Sequence, residues 1–235
     1  MGTTGAAARM MVGVSDTPNV TSSARIAGVD GCRGGWVVAS ERGIEVVPTL
    51  APLLERFDLV GVDMPIGLPS GWGRAADAEA RRFLTGRGAT VFPVPPRPLL
   101  AHRTYAEANA ASRAAYGKGL TRQTWNLFPK LREVDALPTD ALRRRVVEIH
   151  PECAFARLTG APLPPKRTAE GRTARRAIVA DALGLVPVRL RGAEEHDVLD
   201  ACAVLWSARR HAAGGAVTFG DGTVDERGLP MRIVS

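Results

Sequence analysis

The sequence predicts an α/β domain on a mixed sheet: a three-strand antiparallel meander continued by parallel strands and flanked by helices. Two apolar runs carry much of this prediction. They lie in Ile26-Ala-Gly-Val-Asp-Gly-Cys-Arg-Gly-Gly-Trp36 and Leu59-Val-Gly-Val-Asp-Met-Pro-Ile-Gly-Leu68, and each ends in an aspartate before breaking at Gly or Pro. Apolar runs bounded by such breakers read as buried strands. Between them the pattern is first hairpin-like and then helical, which makes the second run parallel to the first.

The elements follow in order. Residues 25–30 form the first strand, and Gly31, Gly34 and Gly35 turn the chain into a second, Trp36-Val-Val-Ala-Ser40. Glu41-Arg-Gly43 is a hairpin turn into the third strand, Ile44-Glu-Val-Val47, with Gly43 supplying the unusual backbone angles. Pro48 ends that strand. Leu50, Leu53, Leu54 and Phe57 then recur at helical spacing, and Leu59–Val62 returns as a strand.

Residues 74–84 read as an Ala/Arg helix. Residues 86–100 carry Pro93, Pro95, Pro96 and Pro98 and are expected to form an ordered surface loop. Two further helices span 104–116 and 121–137. Arg145-Val-Val-Glu-Ile-His150 is the next strand, stopped by Pro151, which suits the first turn of a helix. Pro162, Pro164 and Pro165 mark a loop before a basic helix at about 169–184. The last long helix, 195–212, sets Val198, Leu199, Cys202, Leu205 and Trp206 on one face, and the tail adds a strand at 216–219.

At 235 residues, one domain with one sizeable core is the natural size. It is expected over 24–235, with a helical insertion at about 74–140. Residues 1–23 are Gly/Ala/Thr/Ser-rich and read as a flexible leader, with Met10 and Met11 as alternative translation starts. Their one apolar run, Met10-Met-Val-Gly-Val14, is shorter than the ~7–15 residues of a signal-peptide core. Hydrophobic content of 45% and charged content of 23% are those of a globular protein. No stretch approaches the ~20 apolar residues of a membrane span, so a cytoplasmic protein is expected. Cys32, Cys153 and Cys202 are odd in number and lack zinc-like spacing, which fits reduced thiols.

The formal net charge is +7 and the pI about 10.1. Such a balance points to an anionic partner, nucleic acid first. Lys118, Lys130 and Lys166 are the lysines, and arginine supplies the rest. Some chemistries are excluded by motif. The glycines after Gly28 lack dinucleotide-fingerprint spacing, Tyr116-Gly-Lys-Gly119 is no phosphate loop, and no Gly-x-Ser-x-Gly elbow occurs.

The acidic residues suggest a Mg²⁺ or Mn²⁺ site. Such ions take hard oxygen ligands, usually one or two carboxylates plus water and substrate phosphate. Asp30 and Asp63, at the ends of adjacent strands, stand where open α/β sheets place ligands. Asp197 and Asp200 lie at i and i+3, hence on one helix face. Asp200 sits among Val198, Leu199, Ala201 and Cys202, where an unpaired charge is expensive. Glu148, His150 and Glu152 cluster at the end of a later strand as further catalytic candidates. Arg33, Arg97, Lys130 and Lys166 are candidates to meet phosphate.

The chain resembles domain-of-unknown-function family 429, a group of ribonuclease H-like proteins. The resemblance rests on Gly28-Val-Asp-Gly-Cys-Arg-Gly-Gly-Trp36, Val62-Asp-Met-Pro-Ile-Gly-Leu68, Val91-Phe-Pro-Val-Pro-Pro-Arg97, Phe128-Pro-Lys-Leu-Arg-Glu-Val-Asp135, Glu148-Ile-His-Pro-Glu152 and Asp197-Val-Leu-Asp-Ala201. It implies a ribonuclease H-like sheet, a catalytic acid on the first strand (Asp30), another on the fourth (Asp63) and acids on the last helix. Asp197 and Asp200 also resemble the paired acids of Holliday-junction resolvases. The implied activity is metal-dependent hydrolysis of nucleic acid. Two alternatives stay open: a non-catalytic nucleic-acid or partner-binding protein, and ATP-dependent phosphotransfer as in sugar kinases and actin-like ATPases, which share the fold.

Overall fold

The two apolar runs pair side by side. The computed structural model describes residues 24–235, so the leader expected over 1–23 lies outside the described residues. Ile26–Cys32 (β1) pairs antiparallel with Gly35–Ser40 (β2), and β2 pairs antiparallel with Gly43–Val47 (β3). Leu53–Arg56 (α1) leads to Leu59–Val62 (β4), which joins the other edge of β1 in parallel. Ala75–Phe83 (α2), Tyr105–Tyr116 (α3), Arg122–Asn126 (α4), Phe128–Asp135 (α5) and Thr139–Arg144 (α6) then precede Val146–Glu148 (β5), which is parallel to β4. The strand order is β3-β2-β1-β4-β5, the ribonuclease H-like mixed sheet. Pro151–Thr159 (α7), Ala169–Leu183 (α8) and Glu195–Ala212 (α9) follow. Thr218–Phe219 (β6) and Ile233–Val234 (β7) end the chain as a small antiparallel pair.

The differences from expectation are local. The single helix expected over 121–137 is two, because Pro129 enters at the start of α5 and has no amide hydrogen to continue α4. Helix α6 and strand β7 were not foreseen; both are too short to show a periodic pattern.

Successive strand residues face opposite sides. Val37 and Ala39 pack with α7, α8 and α9, while Trp36 and Val38 face the cluster containing Phe128 and Leu131 of α5. Two glycines decide how closely α9 can lie. Gly28 of β1 and Gly61 of β4 are register partners. A Cβ on Gly28 would fall 2.1 Å from the Leu205 nitrogen and 2.4 Å from the Ala201 oxygen of α9. One on Gly61 would meet Ile149, Val204 and Ala208. The pair therefore forms a flat seat for the α9 backbone, and that seat sets the helix N-terminus beside the ends of β1 and β4. Gly28→Ala is expected to cost at least ~2–3 kcal/mol. Thermal denaturation should show this as a fall of roughly 5–10 °C. Among the described residues, no helix is long and apolar enough to cross a membrane.

Candidate functional site

Register brings the first two aspartates together. Val29 and Val62 are partners across β1 and β4, and the Asp63 amide donates to the Val29 carbonyl at 2.9 Å. Asp30 shares its face with Gly28, and Asp63 with Gly61, so both carboxylates turn towards α9. Asp30 is 8% exposed, and its Oδ1 accepts from the Gly31 amide at 2.8 Å. Burial, then the charges of Asp63 and Asp200, push Asp30 well above the usual carboxylate range. Burial and Asp200 raise Asp63 to about 7. Near neutral pH the pair thus tends to retain protons, because like charges in a dry site oppose ionisation.

Asp200 comes from the second turn of α9. Its Oδ2 accepts from Lys166 Nζ at 2.5 Å, while its Oδ1 is buried without a partner. Lys166 reaches it from the proline-rich segment expected as a loop. Burial works against the ammonium, but Asp200, Asp30 and Asp63 outweigh it and hold it above the ordinary lysine value. Asp197 is occupied otherwise. Its Oδ2 accepts from the Glu194 amide at 2.9 Å in a capping box, and its Oδ1 lies 3.2 Å from His196 Nε2. It stands beside the cluster rather than in the cavity lining.

These groups open into a cavity of about 790 Å³. Glu148 and Glu152 line it, but both are held in buried ion pairs. Glu148 shares the strand face of Val62, its register partner, and so points away from α9. Its Oε2 accepts from Arg74 Nη1 at 2.8 Å and from the Ile66 amide at 2.8 Å, and its Oε1 accepts from Arg74 Nη2 at 2.6 Å. Arg74 also holds Asp77. Glu152 meets Arg175 through both oxygens at 2.7 Å. His150 donates from Nε2 to the Thr90 carbonyl at 3.2 Å, and burial lowers its pKa, so Nδ1 is left as a bare acceptor.

The remaining candidates separate clearly. Lys130 lines the cavity, stacked 4.1 Å above the Trp36 ring with its ammonium on the Gly35 carbonyl. Arg97 does not line it; this arginine pairs with Asp135 and Asp225 and ties the C-terminal segment to the insertion. Arg33 lies exposed in the β1–β2 turn, outside the lining. Cys32 lines the cavity, but burial raises its thiol, so the reactive thiolate is disfavoured. Arg74, Asp77, Arg87, Phe92 and Arg175 were not singled out from sequence. A buried arginine looks like any surface arginine until its partner is known.

Among the described residues, no three His, Cys, Asp or Glu side chains form a ready metal cage. Lys166 holds one Asp200 oxygen, and Asp197 caps its helix. The donor set still fits a hard divalent ion. Mg²⁺ needs only one or two protein carboxylates, and Asp200 Oδ1 is a buried acceptor with nothing to accept from.

In comparison with known proteins, residues 28–224 match the family model described as Protein of unknown function (DUF429). No curated protein and no solved structure matches the chain. The matched span contains every cavity-lining residue except Ile233.

Proposed function

The chain belongs to the DUF429 family, and because its cavity gathers buried carboxylates we propose that it is a divalent-metal-dependent phosphodiesterase acting on nucleic acid. One observation carries the reading: buried Asp30 and half-buried Asp63 stand side by side, the charge of Asp63 opposing the ionisation of Asp30, next to a buried Asp200 oxygen without a partner. Such an arrangement is costly for folding alone and becomes favourable when a cation joins it. The net charge of +7 supports a polyanionic substrate.

Asp30, Asp63 and Asp200 would hold Mg²⁺ or Mn²⁺. When bound, such an ion supplies Lewis acidity towards a phosphodiester. The chain's own residues do the rest. Asp30 and Asp63 would give up their retained protons in holding such an ion. Lys166 leaves Asp200 and turns its ammonium to a substrate phosphate oxygen. The Trp36 ring and the Gly35 carbonyl fix Lys130 at the cavity wall. The buried Arg74–Glu148 and Arg175–Glu152 pairs keep the floor rigid.

Lys166→Ala separates these roles. Calorimetric titration is expected to show Mn²⁺ binding about 3- to 10-fold tighter than in the wild type, since a competing, half-exposed ammonium is gone. Turnover is expected to fall by up to about 10²-fold, since a phosphate contact is lost. Weaker Mn²⁺ binding in the variant would show that Lys166 is no competitor. The reading as a whole is tested by a cleavage screen on labelled single-stranded and duplex DNA and RNA, with Mg²⁺, Mn²⁺ or chelator. Metal-dependent cleavage supports it; no cleavage of any of these substrates would overturn it.

A further inference from the structure

Part of the cavity lining is the proline-rich loop of residues 86–100. Val91 and Val94 anchor it in the interior, 4% and 3% exposed, while Phe92 between them is 37% exposed and lines the cavity. Among the described residues, Phe92 is the one aromatic among the large apolar side chains left exposed. The backbone around it is pinned. Arg81 Nε donates to the Val91 carbonyl at 3.0 Å, the Arg97 amide donates to the Pro69 carbonyl at 3.0 Å, and His150 holds the Thr90 carbonyl. An aromatic face presented by a rigid segment is a platform that loses little entropy when a ligand stacks on it.

A second observation points the same way. Most buried polar atoms find partners. Asp77 Oδ2, Arg87 Nε and His150 Nδ1 are buried without one, and all three residues line this cavity. Arg87 Nε is a donor, whereas Asp77 Oδ2 and His150 Nδ1 are acceptors. A ligand that answers them has a flat face and an edge carrying both acceptors and donors, as a nucleobase does. The volume, about 790 Å³, is that of a small-ligand site.

We infer that the cavity receives one unpaired nucleotide of a single-stranded polynucleotide. The base stacks on Phe92 with its edge towards Arg87, Asp77 and His150, and the adjoining phosphate lies towards Asp30 and Asp63. The inference rests on the phosphodiesterase reading and narrows its substrate. A base inside a duplex is stacked on both faces and must be extruded to enter.

Fluorescence anisotropy with a labelled single-stranded dinucleotide, and with a labelled blunt duplex, both in Ca²⁺, tests it on the full chain. The wild type is expected to bind the dinucleotide more tightly than the duplex. Phe92→Ala should weaken dinucleotide binding about 5- to 100-fold, the usual loss for one stacked base. Phe92→Trp should retain it, with indole fluorescence quenched on binding. Undiminished binding by Phe92→Ala would overturn the inference, as would preference for the duplex or tighter binding of a free mononucleotide. Metal-dependent cleavage at the wild-type rate by Phe92→Ala would remove the base platform and leave the phosphodiesterase standing. Absence of all cleavage by the wild type would remove both.

Discussion

Asp63→Asn protein is expected to lose divalent-cation binding and cleavage, yet to melt at a higher temperature than metal-free wild type. The reason is the same for both effects. Burial and Asp200 raise the Asp63 carboxyl to about 7, so near pH 8 the folded protein carries a charge its surroundings oppose. A tenfold change in proton affinity is worth ~1.4 kcal/mol, so a rise from ~3.9 implies a cost of order 4 kcal/mol, part of which asparagine returns. The melting temperature should rise by several degrees near pH 8. The sign with pH follows from the direction in which folding moves this carboxyl. A carboxyl raised on folding destabilises fully above its folded value and not at all below its unfolded one. Wild-type stability from this group therefore grows as pH falls from about 8 towards 4, and the variant lacks that slope. Burial holds His150 and His211 below the ordinary imidazole value, but they titrate in both proteins and largely cancel in the difference. Scanning calorimetry at matched pH values reads the difference directly. Equal melting temperatures near pH 8, or the same pH slope in both proteins, would show that the Asp63 carboxyl carries no such cost. Loss of an outer partner of a metal ligand already costs ~10–100-fold in affinity or activity, so losing the ligand itself should cost more than ~100-fold in cleavage.

Arg74→Met carries the largest expected loss of stability, about 3–5 kcal/mol, or roughly 10–15 °C in melting temperature. Arg74 is 5% exposed and pairs with Glu148 and Asp77 at the cavity floor. Its removal leaves two buried carboxylates facing each other without a cation. Burial already lifts Glu148 above its ordinary value even with Arg74 present. The loss should shrink at acid pH, where Glu148 takes up a proton. The triple variant Arg74→Met, Asp77→Asn, Glu148→Gln is expected to recover a substantial part of the stability, because no buried charge remains unpaired. A loss below ~1 kcal/mol in the single variant would show that the floor is wetter than its geometry indicates.

The sheet was legible because its signals are local. Each of the first four strands is an apolar run with a breaker at its end, and Gly43 marks the hairpin. The placement of Asp30 and Asp63 follows from strand parity once β1 and β4 are known to be parallel. What the sequence left hidden depends on partners distant along the chain. Glu148 and Glu152 read as free acids until Arg74, 74 residues away, and Arg175, 23 away, are seen to hold them. Asp197 and Asp200 share a helix face, but only the Glu194 cap and the Lys166 contact assign them different tasks. Arg97 is a candidate to meet phosphate in the sequence alone; Asp135 and Asp225 claim it in the fold. The flat seat made by Gly28 and Gly61 was present in both motifs, yet only the helix lying on it gives those glycines their meaning.

On the proposed reading, Asp30, Asp63 and Asp200 form a divalent-cation site for phosphodiester hydrolysis. Isothermal titration of Mn²⁺ into wild-type protein just below pH 7, in two buffers of different ionisation enthalpy, with oligonucleotide cleavage followed in the same samples, tests it most directly. Saturable binding accompanied by proton release from the Asp30–Asp63 pair, together with Mn²⁺-dependent cleavage, is the expected result. No binding, even with oligonucleotide present, would contradict it and favour the alternative of a non-catalytic nucleic-acid or partner-binding protein.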